Sequence, residues 1–160
     1  MNIHAMLNEV LVRLFRNINA IEEQVIKRSE YRYLTVNDMH VIEAIGVEEP
    51  RNMTAVAKAL MVTTGTLTIS VNSLVKKGLV ERTRSEADRR VVLVSLTEKG
   101  RHAYHSHQKF HEDMVEAVTG ELTEEEQVIL ARALGRLNRF FRNKQAKPAD
   151  TSEEAAPTGS

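Results

Sequence analysis

Arg82, Arg84, Arg89 and Arg90 crowd the stretch RTRSEADRRVVLVSL (82–96), with only Glu86 and Asp88 to oppose them. Guanidinium groups are planar, permanently charged forks that grip phosphates and carboxylates through paired hydrogen bonds. The chemistry open to this stretch is therefore recognition of a polyanion. Asp88, just before the Arg89–Arg90 pair, can hold one guanidinium in a fixed direction by a charge-assisted bond. A held arginine suits insertion into a narrow, electronegative minor groove. The other residues with chemical capacity are histidines. His107 and His111 lie four apart in a helical stretch, the spacing that lets two imidazoles face one metal, with His102, His105 and His40 as further candidate donors and Glu112 and Asp113 as carboxylates. Histidines in such a setting more often pack or make hydrogen bonds, so no metal is expected, and their protonation offers a pH-dependent alternative.

Catalytic patterns are missing. There is no Gly-rich phosphate loop, no His-Glu-x-x-His and no Gly-x-Ser-x-Gly. With no cysteine, disulfides, thiolate metal sites and cysteine nucleophiles are excluded. Neither an enzyme nor a cofactor is expected. The N-terminus lacks a signal-peptide pattern and no apolar run approaches the ~18 residues of a membrane span, so a soluble, cytoplasmic protein without membrane contact is expected. The 22 basic and 22 acidic side chains cancel, but their placement does not. Residues 51–101 hold ten Lys/Arg against four acids, a net of +6, whereas the segments on either side come to −3 each. A basic centre between acidic arms is the footprint of a polyanion-binding surface.

The elements that must position these arginines follow from periodicity. Residues 3–27 place Ile3, Leu7, Val10, Leu14, Ile18, Ile21 and Val25 at helical steps, widened by Met6, Leu11 and Phe15. Such a broad stripe suggests contact with later elements or a second subunit. Thr35-Val-Asn-Asp38 resembles a capping box opening a helix that stops at Gly46. Thr54 is expected to cap a short helix, AVAKALM, and a further helix opens at Thr63 or Thr64 and ends at Gly78. Two short helices across a tight turn form a helix-turn-helix candidate. In its second helix Leu67, Val71, Leu74 and Val75 make the buried stripe, while Thr66, Thr68, Ile69, Asn72 and Ser73 face away. That face is short, polar and almost uncharged, as close approach to base edges requires. LVERTR (79–84) and VVLVSL (91–96) flank the arginine-rich tip as a β-hairpin, which adds a wing. Thr97 begins a long helix ending at Gly120. Thr123-Glu-Glu-Glu126 is a capping box for a last helix carrying Leu130, Leu134, Leu137 and Phe141 on one stripe. After Lys144 the composition becomes that of a disordered tail.

Gly78-Leu-Val-Glu-Arg82, Asp88-Arg-Arg90 and Leu96-Thr-Glu-Lys-Gly100, in that order, resemble the MarR family of bacterial winged-helix regulators, and the element order agrees over residues 3–142. The resemblance implies a mainly α winged helix-turn-helix fold with about six helices and a two-to-three-stranded β-wing, assembled as an obligate homodimer. It divides the chain into an N-terminal dimerisation helix (1–34), a DNA-binding domain (35–96), C-terminal dimerisation helices (97–144) and the tail (145–160). Ile3, Leu7, Val10, Leu14, Leu130, Leu134, Leu137 and Phe141 then serve dimerisation. Thr64, Gly65, Thr66, Thr68, Ile69 and Asn72 belong to the recognition helix. Arg82, Arg84, Ser85, Asp88, Arg89 and Arg90 belong to the wing, with Arg90 in the minor groove, Asp88 bracing it, and Arg84 and Arg89 nearer phosphates. Ile69 and Ser73 stand where arginines are common in the family. A bidentate Arg–guanine contact is thus absent from this helix, and Ile69 can meet thymine methyls instead. A pseudo-palindromic, A·T-leaning double-stranded operator is expected.

Asp38-Met-His-Val-Ile-Glu-Ala-Ile-Gly46, Leu60-Met-Val-Thr-Thr-Gly-Thr-Leu-Thr68, Arg84-Ser-Glu-Ala-Asp-Arg-Arg90 and His107-Gln-Lys-Phe-His111 are similar, more narrowly, to the FabT group. That resemblance implies repression of fatty-acid biosynthesis genes, with acyl carrier protein bearing a long acyl chain (acyl-ACP) as corepressor and effector. The chain would lie in an apolar cavity near the helical dimer region. The apolar excess of the first helix fits such a cavity and equally an ordinary dimer core. Two alternatives stay open: a small phenolic or other apolar effector, and a winged-helix adaptor that binds protein. The adaptor would need apolar anchors on the exposed face of residues 64–76 and no basic wing.

Overall fold

The computed structural model describes residues 2–145, which form two compact units divided between Met114 and Val115. Gln145 closes the last helix, and the remainder of the tail assigned to 145–160 lies outside the described residues. Among the described residues, no single helix is long and apolar enough to cross a membrane.

The first unit opens with α1 (Ile3–Arg28), capped by Asn2, whose side chain accepts the His4 N–H. Its two faces differ from the single stripe suggested by the sequence. Glu22 and Ile26 turn inward, whereas Ile3, Leu7, Val10 and Leu14 remain 44–55% exposed. The apolar stripe is thus uncovered within one protomer. Helix α2 (Val36–Ile45) carries both halves of its capping box: Thr35 Oγ1 accepts the Asp38 N–H, and Asp38 Oδ2 accepts the Thr35 N–H. It ends at Gly46, whose φ of 73° suits a residue without a Cβ.

Strand β1 (Arg51–Asn52) leads straight into α3 (Met53–Leu60). Asn52, not Thr54, caps α3. Pairing with a later strand holds Asn52 extended, so its side chain reaches the Ala55 N–H at 2.7 Å, and Thr54 is already inside the first turn. Met61 closes α3 in the left-handed region, and α4 (Thr64–Lys76) departs at 105° to it. This is the geometry of a helix-turn-helix. Ile42, Ile45, Val56, Leu67, Val71, Leu74 and Val94 are sealed in the core these elements share. Each such side chain contributes about 1.5–3 kcal/mol of burial.

The second unit contains the end of α5 (Glu98–Thr119) and α6 (Glu124–Gln145). Gln127 donates to the carbonyls of Thr119 and Leu122, tying the turn, and Thr123 and Glu126 form the expected capping box. The Thr123 N–H and hydroxyl hold the Glu126 carboxyl below the usual range.

In the first unit β2 (Val80–Arg84) and β3 (Val92–Leu96) pair antiparallel from Val80–Leu96 to Arg84–Val92, and β1 joins the other edge of β3. The base of this sheet is locked to α5. Thr97 donates its hydroxyl to the Gly78 carbonyl and its N–H to that of Leu79. Gly100 lies so close below that a Cβ there would sit 2.0 Å from the Leu79 carbonyl oxygen. Gly100→Ala is therefore expected to lower stability by roughly 1–3 kcal/mol or more, because backbone must move to admit the methyl. Urea denaturation measures this, and an unchanged midpoint would refute the packing described.

Candidate nucleic-acid interface

The rotation of α4 about its axis is set by burial of Leu67, Val71 and Leu74. Thr64, Gly65, Thr66, Thr68, Ile69 and Asn72 consequently all reach solvent, while Ser73 is half-buried. Their hydrogen-bonding capacity is uneven. Thr63 caps the helix by accepting the Thr66 N–H, and its hydroxyl donates to Thr66 Oγ1, so the Thr66 proton stays available. Thr68 spends its proton on the Thr64 carbonyl at 2.7 Å and can only accept from a partner. Ile69 is 72% exposed, the most exposed large apolar residue among those described. An isolated apolar side chain amid threonines, on the most accessible face of the helix, fits contact with a methyl-bearing surface.

Arg82 has a role that the sequence alone did not disclose. Although it lies on β2, its Nη2 donates to Asn72 Oδ1 on α4, which leaves the Asn72 amide N–H groups pointing elsewhere. Strand and helix are thereby linked across their exposed sides. No local pattern flags the pair, because they come together only when β2 packs beside α4.

At the wing tip, Ser85 N–H bonds the Val91 carbonyl and Val91 N–H bonds that of Asp88. Arg84 donates across the loop to the Arg89 carbonyl at 2.8 Å, and Ser85 Oγ accepts the Asp88 N–H at 3.4 Å. The loop is thus closed by its own side chains. Asp88 then takes three bonds from Arg90: Nε to Oδ1, Nη2 to Oδ2, both at 3.1 Å, and the backbone N–H to Oδ1 at 3.0 Å. The guanidinium and backbone N–H of Arg90 hold the Asp88 carboxyl below the usual carboxylate range. A fork-to-fork pair fixes the plane of the guanidinium. Its side chain is nonetheless 91% exposed, so the arginine is aimed outward while braced from below.

Two further links position α4. Lys77 Nζ reaches the α2 cap residue Asp38 at 2.9 Å, and Asn37 donates to Ser70 at 3.3 Å. Sequence reading missed both, since their partners lie more than 30 residues apart. It also missed Glu22. The signal was present: Glu22 falls midway between Ile18 and Ile26 in steps of four, an acid on an inward register.

The profile of the family described as Transcriptional regulator SarA/Rot matches residues 24–106. Among solved structures, Streptococcus pneumoniae FabT in complex with DNA is 39% identical, with a TM-score of 0.83 over 88% of this chain and 98% of that one. The Bacillus subtilis HTH-type transcriptional regulator YhjH is 24% identical, covering 91% of this chain and 81% of its own. The HTH-type transcriptional regulator SarZ of Staphylococcus saprophyticus is 41% identical over 68 residues, 42% of this chain and 47% of that protein. The six helices and the three-stranded wing sheet of the described residues agree with these relationships: the chain belongs to the MarR family of winged helix-turn-helix DNA-binding transcriptional regulators, which are not enzymes.

Proposed function

We propose that this protein is a cytoplasmic homodimeric repressor of fatty-acid biosynthesis genes that binds a pseudo-palindromic, A·T-leaning operator. Helix α4 enters the major groove, with Thr66, Asn72 and Ile69 toward base edges, and Arg90 enters the minor groove. The observation that carries this reading is the Asp88–Arg90 pair, a guanidinium oriented and exposed at the wing tip. Narrow A·T-rich minor grooves concentrate negative potential, which favours such an arginine. The domain division at residues 34, 96 and 144 belongs to the same proposal.

Long-chain acyl-ACP is the corepressor in this reading, supported by the 39% identity to pneumococcal FabT over most of both chains. Val25, Ile26, Met39 and Phe110, together with Glu22, Ser29, Ser106 and His107, line a small void of about 20 Å³ between α1, α2 and α5. An acyl chain is far larger, so entry requires these helices to part. The dimer uses the uncovered stripe of α1 (Ile3, Leu7, Val10, Leu14) and α6 residues Leu130, Leu134, Leu137 and Phe141. The α1 residues, Leu134 and Phe141 are exposed, whereas Leu130 and Leu137 are half-buried; exposed apolar faces of this kind mark association surfaces.

Three outcomes are expected. Arg90→Ala weakens operator binding and lowers the salt slope by roughly one, whereas Asp88→Ala also weakens it despite making the wing more positive. Tighter binding by Asp88→Ala in a fluorescence-anisotropy salt titration would reduce the wing to bulk charge. Leu7→Glu with Val10→Glu yields a monomer in sedimentation and abolishes tight operator binding; a dimer that persists would move the interface elsewhere. Acyl-ACP added to protein on a fatty-acid-synthesis promoter fragment tightens the specific complex. Binding indifferent to the acylated carrier would keep the regulator and discard this corepressor.

A further inference from the structure

Away from the DNA-facing side, three helices of the first unit bring imidazole and carboxylate groups to one point. Glu22 on α1 is 2% exposed and His107 on α5 is 4% exposed, both far below what is normal for ionisable side chains. His107 Nε2 stands 3.2 Å from Glu22 Oε1, and His111 Nε2, one turn further along α5, is 3.0 Å from His107 Nε2 and 4.0 Å from the same carboxylate oxygen. From α2, His40 Nε2 approaches Glu22 Oε1 at 3.0 Å, and the partly exposed Glu43 lies 3.8 Å from His107 Nε2. His40 and His111 are half-open to solvent, which provides an entry side.

Hydrogen bonding accounts poorly for this convergence. A neutral imidazole offers at Nε2 either one proton or one lone pair. If His107 donates to Glu22, the Nε2 of His111 beside it has no proton to accept from that ring. If His107 instead accepts from His111, its lone pair faces the Glu22 carboxylate. Protonating His107 is no remedy: the added proton sits on the other ring nitrogen, and Nε2 still has one proton for two neighbours. A cation at the centre satisfies every one of these lone pairs.

We infer that Glu22, His107 and His111, with His40 as fourth donor, form a binding site for a divalent transition-metal ion of the Zn²⁺ class. The spacing fits. Ligands about 2.0–2.1 Å from a tetrahedral ion stand about 3.3 Å from one another; the donors of Glu22, His107 and His111 are 3.0 to 4.0 Å apart, and His40 adds a nitrogen 3.0 Å from Glu22. Imidazole with a single carboxylate suits zinc among the available ions, and without thiolates the site has no preference for the softest metals. The ion ties α1 and α5 to α2, the helix that carries the Asn37 and Asp38 contacts to the recognition-helix segment. This inference is independent of the proposed operator; it shares Glu22 and His107 with the void assigned above to the acyl chain, so a bound ion would oppose the parting of helices that acyl entry requires.

The test uses the untagged full chain, stripped with chelator and dialysed. Zn²⁺ titrated against a chromophoric competitor is expected to bind at one equivalent per chain and to raise the melting temperature. Co²⁺ is expected to give the intense visible bands of a tetrahedral site. His111→Gln and His107→Gln each lower affinity by at least about 100-fold, as loss of a direct ligand should exceed the 10–100-fold of an outer partner. His102→Gln with His105→Gln, exposed on the same helix, leaves it unchanged. His111 is partly exposed, so its variant tests the site even if the His107 variant does not fold. Absence of stoichiometric uptake, or uptake that His111→Gln leaves intact, would overturn the assignment.

Discussion

Leu67, Val71 and Leu74 are buried almost completely, and that burial fixes which side of α4 faces the world. On a helix of 3.6 residues per turn, placing one apolar edge in the core determines every other direction. The threonines, Ile69 and Asn72 are outward because the leucines and valine are inward. Everything proposed for recognition in the major groove depends on this rotation. The surrounding links refine it: Lys77 on Asp38 and Asn37 on Ser70 join the α4 segment to α2, and Arg82 on Asn72 joins it to β2.

The wing obeys a different constraint. An exposed ion pair alone contributes little to stability, so the Asp88–Arg90 arrangement is better understood as pre-orientation than as a structural prop. The carboxylate limits the rotamers of a long side chain before any partner arrives, and less freedom is then lost on binding. Arg84 and Ser85 act one level below, closing the loop whose tip presents the pair. At the other end of the sheet, close approach of Gly100 to Leu79 seats the wing on α5, so the direction of the tip is inherited from a glycine some distance along the chain.

Charge and burial are also used away from the DNA-facing surface. Glu22 and His107 are buried at a cost that apolar residues of similar size would avoid. An ion at that point gives the cost a purpose, because it would join three helices that border a small void. The uncovered stripe of α1 shows the opposite economy. Apolar groups that a lone protomer would be expected to bury are left in water, as a surface intended for another molecule would be.

Local patterns in the sequence were sufficient for much of this. Helical steps of three and four, the capping boxes at Thr35 and Thr123, Gly46, and the β-branched runs around a charged tip located the helices and the wing. The Asp88–Arg90 brace was legible because its partners are two residues apart. Sequence alone misplaced the cap of α3, since the extended conformation of Asn52 depends on pairing with β3, a strand some forty residues distant. It could not reveal Arg82 on Asn72, Lys77 on Asp38, or that Glu22, rather than Glu112 or Asp113, is the carboxylate that meets His40, His107 and His111. Short-range physics is written in spacing, whereas contacts between separate elements exist only after packing has brought them together. The inward face of α1 was likewise decided by the tertiary structure: the apolar stripe was visible in the sequence, but only the packed helices determined that Glu22 and Ile26 would face the core and that much of the stripe would not.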